Sequence, residues 1–186
     1  MIDKRVKTVL EFKKNIVLTG FMGSGKTSVG RFFEENYHIR CVEMDREIEN
    51  LEGRTISDIF KDEGENYFRE VETRTLKEVL AKDNQVISCG GGTVLRRENV
   101  ELMKNNGVVI WLKASPKVIL QRVMEDENRP LLKGKKNITD IEKIMNERKE
   151  KYEEAADVEI DTDGRSVEEV CRLIIENLLG AGENYV

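Results

Sequence analysis

Histidine is nearly absent from this chain: His38 is the only one among 186 residues. Cysteine is sparse too. Cys41, Cys89 and Cys171 are odd in number, far apart and form no C-x-x-C pair. Zinc centres built on thiolate and imidazole need such clusters, so a Cys/His metal site is excluded. A Ser-His-Asp arrangement has only His38 to use as its base. His38 follows Tyr37 at an expected helix end, where a surface or turn histidine fits better. No apolar run approaches the ~20 residues that cross a bilayer as a helix. The opening MIDKRVKTVLEFKK carries charge throughout and has no apolar stretch of the signal-peptide kind. A cytoplasmic protein with reduced, mostly buried thiols is expected.

Positive charge is not in excess. Lys and Arg number 31 against 36 Asp and Glu, a net charge of −5, which argues against a general nucleic-acid binder. An anionic small ligand stays open, because local arginines decide that. Charged residues make up 36% of the chain, but definite apolar runs accompany them, so global disorder is not expected. The length suits one domain over 1–186 with a real core.

Five short apolar runs punctuate the chain: Ile16–Thr19, Ile39–Met44, Val86–Cys89, Val108–Leu112 and Val158–Ile160. Longer helix-period segments separate them. The alternation predicts βαβ units around a parallel sheet buried on both faces. Ser115-Pro116 predicts an N-cap followed by proline at the first helical position. Thr139-Asp140-Ile141-Glu142 and Ser166-Val167-Glu168-Glu169 read as capping boxes. After Ser166, Val167, Val170, Cys171, Ile174 and Leu178 form one apolar stripe that suits packing on the sheet. The charged stretch Met124–Asn137 lies between two helices and suits either a solvated loop or a mobile lid.

Gly20-Phe21-Met22-Gly23-Ser24-Gly25-Lys26-Thr27 fits G-x-x-x-x-G-K-[ST], with a strand leading in and a helix leading out. Backbone N–H groups in such a loop turn toward a phosphate, and the helix N-terminus adds partial positive charge. Lys26 reaches the β- and γ-phosphates and the Thr27 hydroxyl suits Mg²⁺. The motif alone says nucleotide phosphate binding.

Other strand ends carry further candidates. Glu43 and Asp45, spaced i, i+2, suit magnesium and an acceptor hydroxyl, or else an acidic helix start. Gly90-Gly91-Gly92 sets bare backbone beside an oxygen-rich ligand, or else makes a flexible turn. Ser88 can hydrogen-bond a water on magnesium. Arg69 follows Phe68 in a helical segment, and Arg148 and Tyr152 lie four apart on one helical face. Each arginine suits a surface ion pair. Two converging on one pocket make an anion clamp.

The ordered set GFMGSGKTSVG at 20–30, EMDREIE at 43–49, FREVE at 68–72, GGG at 90–92, RPLL at 129–132 and R-x-x-x-Y at 148–152 resembles shikimate kinase. The match runs from about Ile16 to Arg165. The resemblance implies a three-layer P-loop fold similar to nucleoside monophosphate kinases. Its parts are a five-stranded parallel sheet flanked by helices, a substrate-binding helical region at about 45–82 and a lid at about 124–138. It implies ATP-dependent phosphorylation of the shikimate 3-hydroxyl to shikimate 3-phosphate and ADP, on the way to chorismate and aromatic amino acids.

Carried over by motif, Gly23, Ser24, Gly25, Lys26, Thr27 and Ser28 hold the ATP phosphates, with Lys26 also catalytic. Thr27 binds Mg²⁺, with Glu43 and Ser88 acting through its waters. Asp45 contacts the ring hydroxyls, including the attacking one. Arg69 and Arg148 hold the shikimate carboxylate, and Gly90, Gly91 and Gly92 line the substrate, with the Gly91 N–H donating. Arg129 on the lid reaches the phosphates, and Arg122 and Arg165 match positions near the adenine. A monomer is expected, with no nucleic-acid or membrane partner. One departure stands out: Glu43 occupies a position where the family usually has aspartate. The chain also extends past the family core at Met1–Lys14 and Leu179–Val186. Two rivals remain, a kinase for gluconate, adenylylsulfate or a nucleoside monophosphate, and a nucleotide-binding regulator without transfer activity.

Overall fold

The computed structural model of the chain describes residues 14–124 and 137–180. A five-stranded sheet forms its middle layer, built from β1 (Asn15–Thr19), β2 (Arg40–Glu43), β3 (Gln85–Ser88), β4 (Gly107–Lys113) and β5 (Val158–Asp161). The spatial order is β2-β3-β1-β4-β5 and every pairing is parallel. Because β1 and β4 are central and covered on both faces, they read as unbroken apolar runs; all five residues of β1 are buried.

Alternation along β1 divides the interior in two. Ile16 and Leu18 point to one face, where Val29 and Phe33 of α1 (Lys26–Tyr37) and Val170, Cys171, Ile174 and Leu178 of α8 (Val167–Gly180) cover them. Val17 points to the other, joined by Val109 and Trp111 of β4. That face is covered by Leu76 and Leu80 of α4 (Gly64–Leu80), Met103 of α5 (Arg97–Asn106) and Tyr152 and Ala155 of α7 (Ile138–Ala155). A third cluster joins Ile48 of α2 (Met44–Glu52), Ile59 of α3 (Ile56–Asp62) and Phe68 and Val71 of α4, so three helices between β2 and β3 carry a small core of their own. A fourth pins Phe21 of the glycine loop against Ile119 and Val123 of α6 (Pro116–Met124) and Ile141 of α7.

The local expectations mostly hold. The Ser166 box closes in both directions: Glu169 N–H donates to Ser166 Oγ at 3.2 Å, and Ser166 N–H donates to Glu169 Oε2 at 2.7 Å. Ser115 caps α6 ahead of Pro116, accepting from Val118 N–H at 3.4 Å. Several expectations differ. Strand β2 stops at Glu43, because Met44 already begins α2 and buries its side chain there. Helix α7 starts at Ile138, with Asn137 Oδ1 accepting from Asp140 N–H at 2.8 Å, so Thr139 lies inside the helix. Asparagine is the better cap, and it comes first. Val167, expected in the buried stripe of α8, stays 36% exposed, since it precedes the turns that meet the sheet.

Among the described residues, no helix is long and apolar enough to cross a membrane. Residues 125–136, which hold Arg129 and nearly all of the expected lid, lie outside the described residues, as do 1–13 and 181–186.

Candidate active site

The glycine loop joins the carboxyl end of β1 to the first turn of α1. Gly25 stands at the N-cap of α1 with φ 101°, a conformation that a side chain strains. Lys26 bends back over the loop, donating through Nζ to the carbonyls of Gly20 at 2.8 Å and Phe21 at 3.0 Å. His38 caps the other end of α1 in a left-handed conformation, exposed. Twelve residues of helix, roughly 18 Å at 1.5 Å each, separate that end from the loop, so His38 is no base for chemistry there.

Register aligns the neighbouring strand ends. Ser88 pairs with Leu18 on one side and Glu43 on the other, so the ends of β1, β3 and β2 lie side by side. Thr27 Oγ1 donates to Glu43 Oε2 at 3.2 Å, and Glu43 Oε1 takes Arg31 at 3.1 Å and Arg46 at 3.9 Å. A hydroxyl and a carboxylate are hard oxygen donors of the kind magnesium takes in phosphate sites, where waters and phosphate oxygens fill the remaining positions. No three His, Cys, Asp or Glu gather to hold a metal by themselves among the described residues, and a cation here would draw on Thr27, Glu43 and ligand oxygens. Glu43, one methylene longer than aspartate, still meets the Thr27 hydroxyl.

Asp45 opens α2 beyond β2, and its carboxylate lies against Gly90: a Cβ on Gly90 would sit 3.1 Å from Asp45 Oδ1. Arg69 approaches the same loop so closely that a Cβ on Gly92 would be 2.6 Å from both terminal nitrogens, so any side chain there would have to displace the guanidinium. Its side chain is 14% exposed, and its guanidinium carbon lies 5.2 Å from the Phe68 ring centroid. Nη1 binds buried Glu72 at 2.8 Å, while Nη2 binds exposed Glu65 at 3.1 Å. Arg148 Nη1 donates to the Gly91 carbonyl at 3.4 Å. On the opposite rim, Arg122 joins the glycine loop to the end of β5, donating to Gly23 O at 3.0 Å and to Thr162 Oγ1 at 3.2 Å. Arg165 donates to the Asp161 carbonyl nearby.

Most of these parts border one cleft of about 1330 Å³. It takes in residues 23–28 of the glycine loop, Glu43, Asp45, Arg69, Ser88, the three consecutive glycines, Arg122, Arg148 and Arg165. Every site residue assigned by motif therefore borders this cleft except Arg129, which lies outside the described residues. Sequence reasoning missed the role of Glu72. That carboxylate is 1% exposed and binds Arg69 on one oxygen and Thr93 Oγ1, at 2.7 Å, on the other. Its signal was the last letter of FREVE, three residues beyond the arginine and so on the same helical face.

A parallel sheet with a phosphate loop at its carboxyl edge, flanked by helices on both faces, defines a P-loop kinase of the nucleoside monophosphate kinase type. The family model described as shikimate kinase matches residues 22–179, and the chain belongs to that family. The shikimate kinase of Persephonella marina is 43% identical over 162 residues, covering 87% of this chain and 97% of that protein. That of Caldicellulosiruptor saccharolyticus is 48% identical over 162 residues, covering 87% and 94%. Among solved structures, shikimate kinase from Acinetobacter baumannii in complex with shikimate superposes with a TM-score of 0.86 at 34% identity, covering 91% of this chain and 95% of that one. The Aquifex aeolicus enzyme gives 0.75 at 34% identity, covering 90% and 97%.

Proposed function

We propose that this chain transfers the γ-phosphoryl group of ATP to the 3-hydroxyl of shikimate, giving ADP and shikimate 3-phosphate on the route to chorismate and the aromatic amino acids. The observation that carries this reading is convergence: two guanidinium groups, Arg69 and Arg148, meet Asp45 and the glycine backbone of 90–92 in the same cleft as the phosphate loop. A hydroxylated ring acid needs that set. The guanidinium groups take its carboxylate as an anion clamp, and Asp45 takes its hydroxyls. Glu65, exposed on the outer edge of the Arg69 fork, yields to the incoming carboxylate, while buried Glu72 keeps its hold.

Phosphoryl transfer through a loose transition state asks for positioning and charge neutralisation. Residues 23–28 cradle the phosphates, Lys26 turns from the loop carbonyls to the transferred group, and Asp45 orients the attacking hydroxyl. Arg129 follows its motif to the phosphates, and Arg122 and Arg165 border the nucleoside end. Thr27 and Glu43 suit Mg²⁺, with Ser88 beside Glu43. When bound, the ion supplies positive charge to the phosphate oxygens.

The chain acts as one kinase domain, with α2 to α4 as the acceptor-side region. Three free thiols suit a reducing cytoplasm. The test is ADP release from ATP–Mg²⁺ with and without shikimate, beside gluconate, adenylylsulfate and AMP. Shikimate-dependent release is expected. Equal rates on the other acceptors refute the assignment, and tight ATP binding without transfer to any acceptor favours a regulator.

A further inference from the structure

The three glycines at 90–92 are the most pliable backbone in the cleft, yet each of their carbonyls is occupied. Gly90 O accepts from Thr93 N–H at 3.2 Å and Gly92 O from Leu95 N–H at 3.0 Å, both within the turn. Gly91 O is held differently, by side chains of α7: the Tyr152 hydroxyl donates to it, and Arg148 Nη1 lies 3.4 Å away.

Tyr152 is a rigid donor. Its side chain is 2% exposed, and its ring stacks on Trp111 of β4 with centroids 5.5 Å apart and planes 8° from parallel. Burial also pushes the phenol up to about 12, so it keeps its proton at any working pH. Arg148 and Tyr152 lie one turn apart on α7 and meet at one backbone atom. Because a peptide unit is planar and trans, fixing the Gly91 carbonyl also fixes the Gly92 N–H and anchors the Gly91 Cα, next to the N–H that the motif gives to the substrate.

We propose that Tyr152 is a positioning residue for the acceptor. From the core side, its hydroxyl holds the Gly91–Gly92 peptide in the one orientation that presents the glycine backbone, and Arg148 beside it, to the ring acid. The ordering entropy of a triple-glycine segment is met during folding instead of on each binding event. This rests on the reading that shikimate binds in this cleft.

Tyr152→Phe tests it, since it keeps the ring, the stack and the buried volume and deletes one hydroxyl. The KM for shikimate is expected to rise roughly tenfold, the scale of one lost buried hydrogen bond. The KM for ATP stays within twofold and the Tm moves by no more than a few degrees. An unchanged shikimate KM overturns the proposal, and so does an equal rise in both KM values. Ligand-induced thermal shift serves even a destabilised variant: shikimate raises the wild-type Tm more than the variant Tm at equal concentration, while ADP raises both equally. Equal shifts with shikimate overturn it too. Wild-type protein that neither turns over nor binds shikimate refutes the functional reading instead, so the two failures are distinct.

Discussion

Glu72→Gln separates the brace behind the acceptor clamp from the clamp itself. Glu72 is buried, with one oxygen 2.8 Å from Arg69 Nη1 and the other 2.7 Å from Thr93 Oγ1. Glutamine has the same shape but only one acceptor oxygen. If that oxygen stays on the Thr93 hydroxyl, the amide NH₂ faces the guanidinium, donor against donor, and Arg69 is left with Glu65, which is 64% exposed. A charge-assisted hydrogen bond contributes ~1.5–3 kcal/mol, so a stability loss of about 2–3 kcal/mol is expected, or roughly 5–10 °C in Tm at this chain length. Arg69 then swings from the position that Gly92 leaves open, and the shikimate KM rises roughly tenfold or more while the ATP KM holds within twofold. Thermal unfolding and a coupled ADP assay on the same preparation read both effects. Arg69→Ala with and without Glu72→Gln supplies the control, because the second change adds little to acceptor binding once its partner is gone. A Tm within about 2 °C of wild type together with an unchanged shikimate KM refutes the brace.

Lys26→Ala removes the ammonium that rests on the Gly20 and Phe21 carbonyls, and transfer is expected to fall at least ~10²-fold with circular dichroism and Tm nearly unchanged. Full turnover in that variant removes Lys26 from the mechanism. Alkaline pH destabilises the fold through its thiols. Burial pushes Cys171 up to about 12, burial with Glu43 and Glu34 nearby pushes Cys41 up to about 11, and burial raises Cys89 as well. The native thiols hold protons that the unfolded chain releases above pH ~9, so stability is intact below that pH and declines as pH rises past it. Chemical unfolding at pH 8 and 10.5 reads this, and Cys171→Ala should lose roughly 1–2 kcal/mol less than wild type over that interval. Identical losses in the two proteins contradict the assignment to Cys171.

What could be read from residues alone was whatever is local. The phosphate loop is eight consecutive residues, the strands are short apolar runs, and the Ser166 box spans four positions; each carries its physics within a few bonds of itself. Even there, competition between neighbours set the boundaries, as when Asn137 capped α7 ahead of Thr139 and Met44 turned from strand into helix. The sheet order β2-β3-β1-β4-β5 was not legible, since pairing is decided between segments as far apart as Arg40 from Gln85 and Asn15 from Gly107.

By itself, the sequence determined the parallel α/β character, the phosphate loop and the inventory of arginines, carboxylates and glycines. Tertiary structure alone decided that Arg69 and Arg148, 79 positions apart in the numbering, approach the same glycine loop. It also decided that buried Glu72 and stacked Tyr152 stand behind that loop. The physical reason is that a residue's type sets which bonds it can make, whereas its partner depends on how helices pack across the sheet. Desolvation, which turns a surface ion pair into a brace, exists only once that packing is complete.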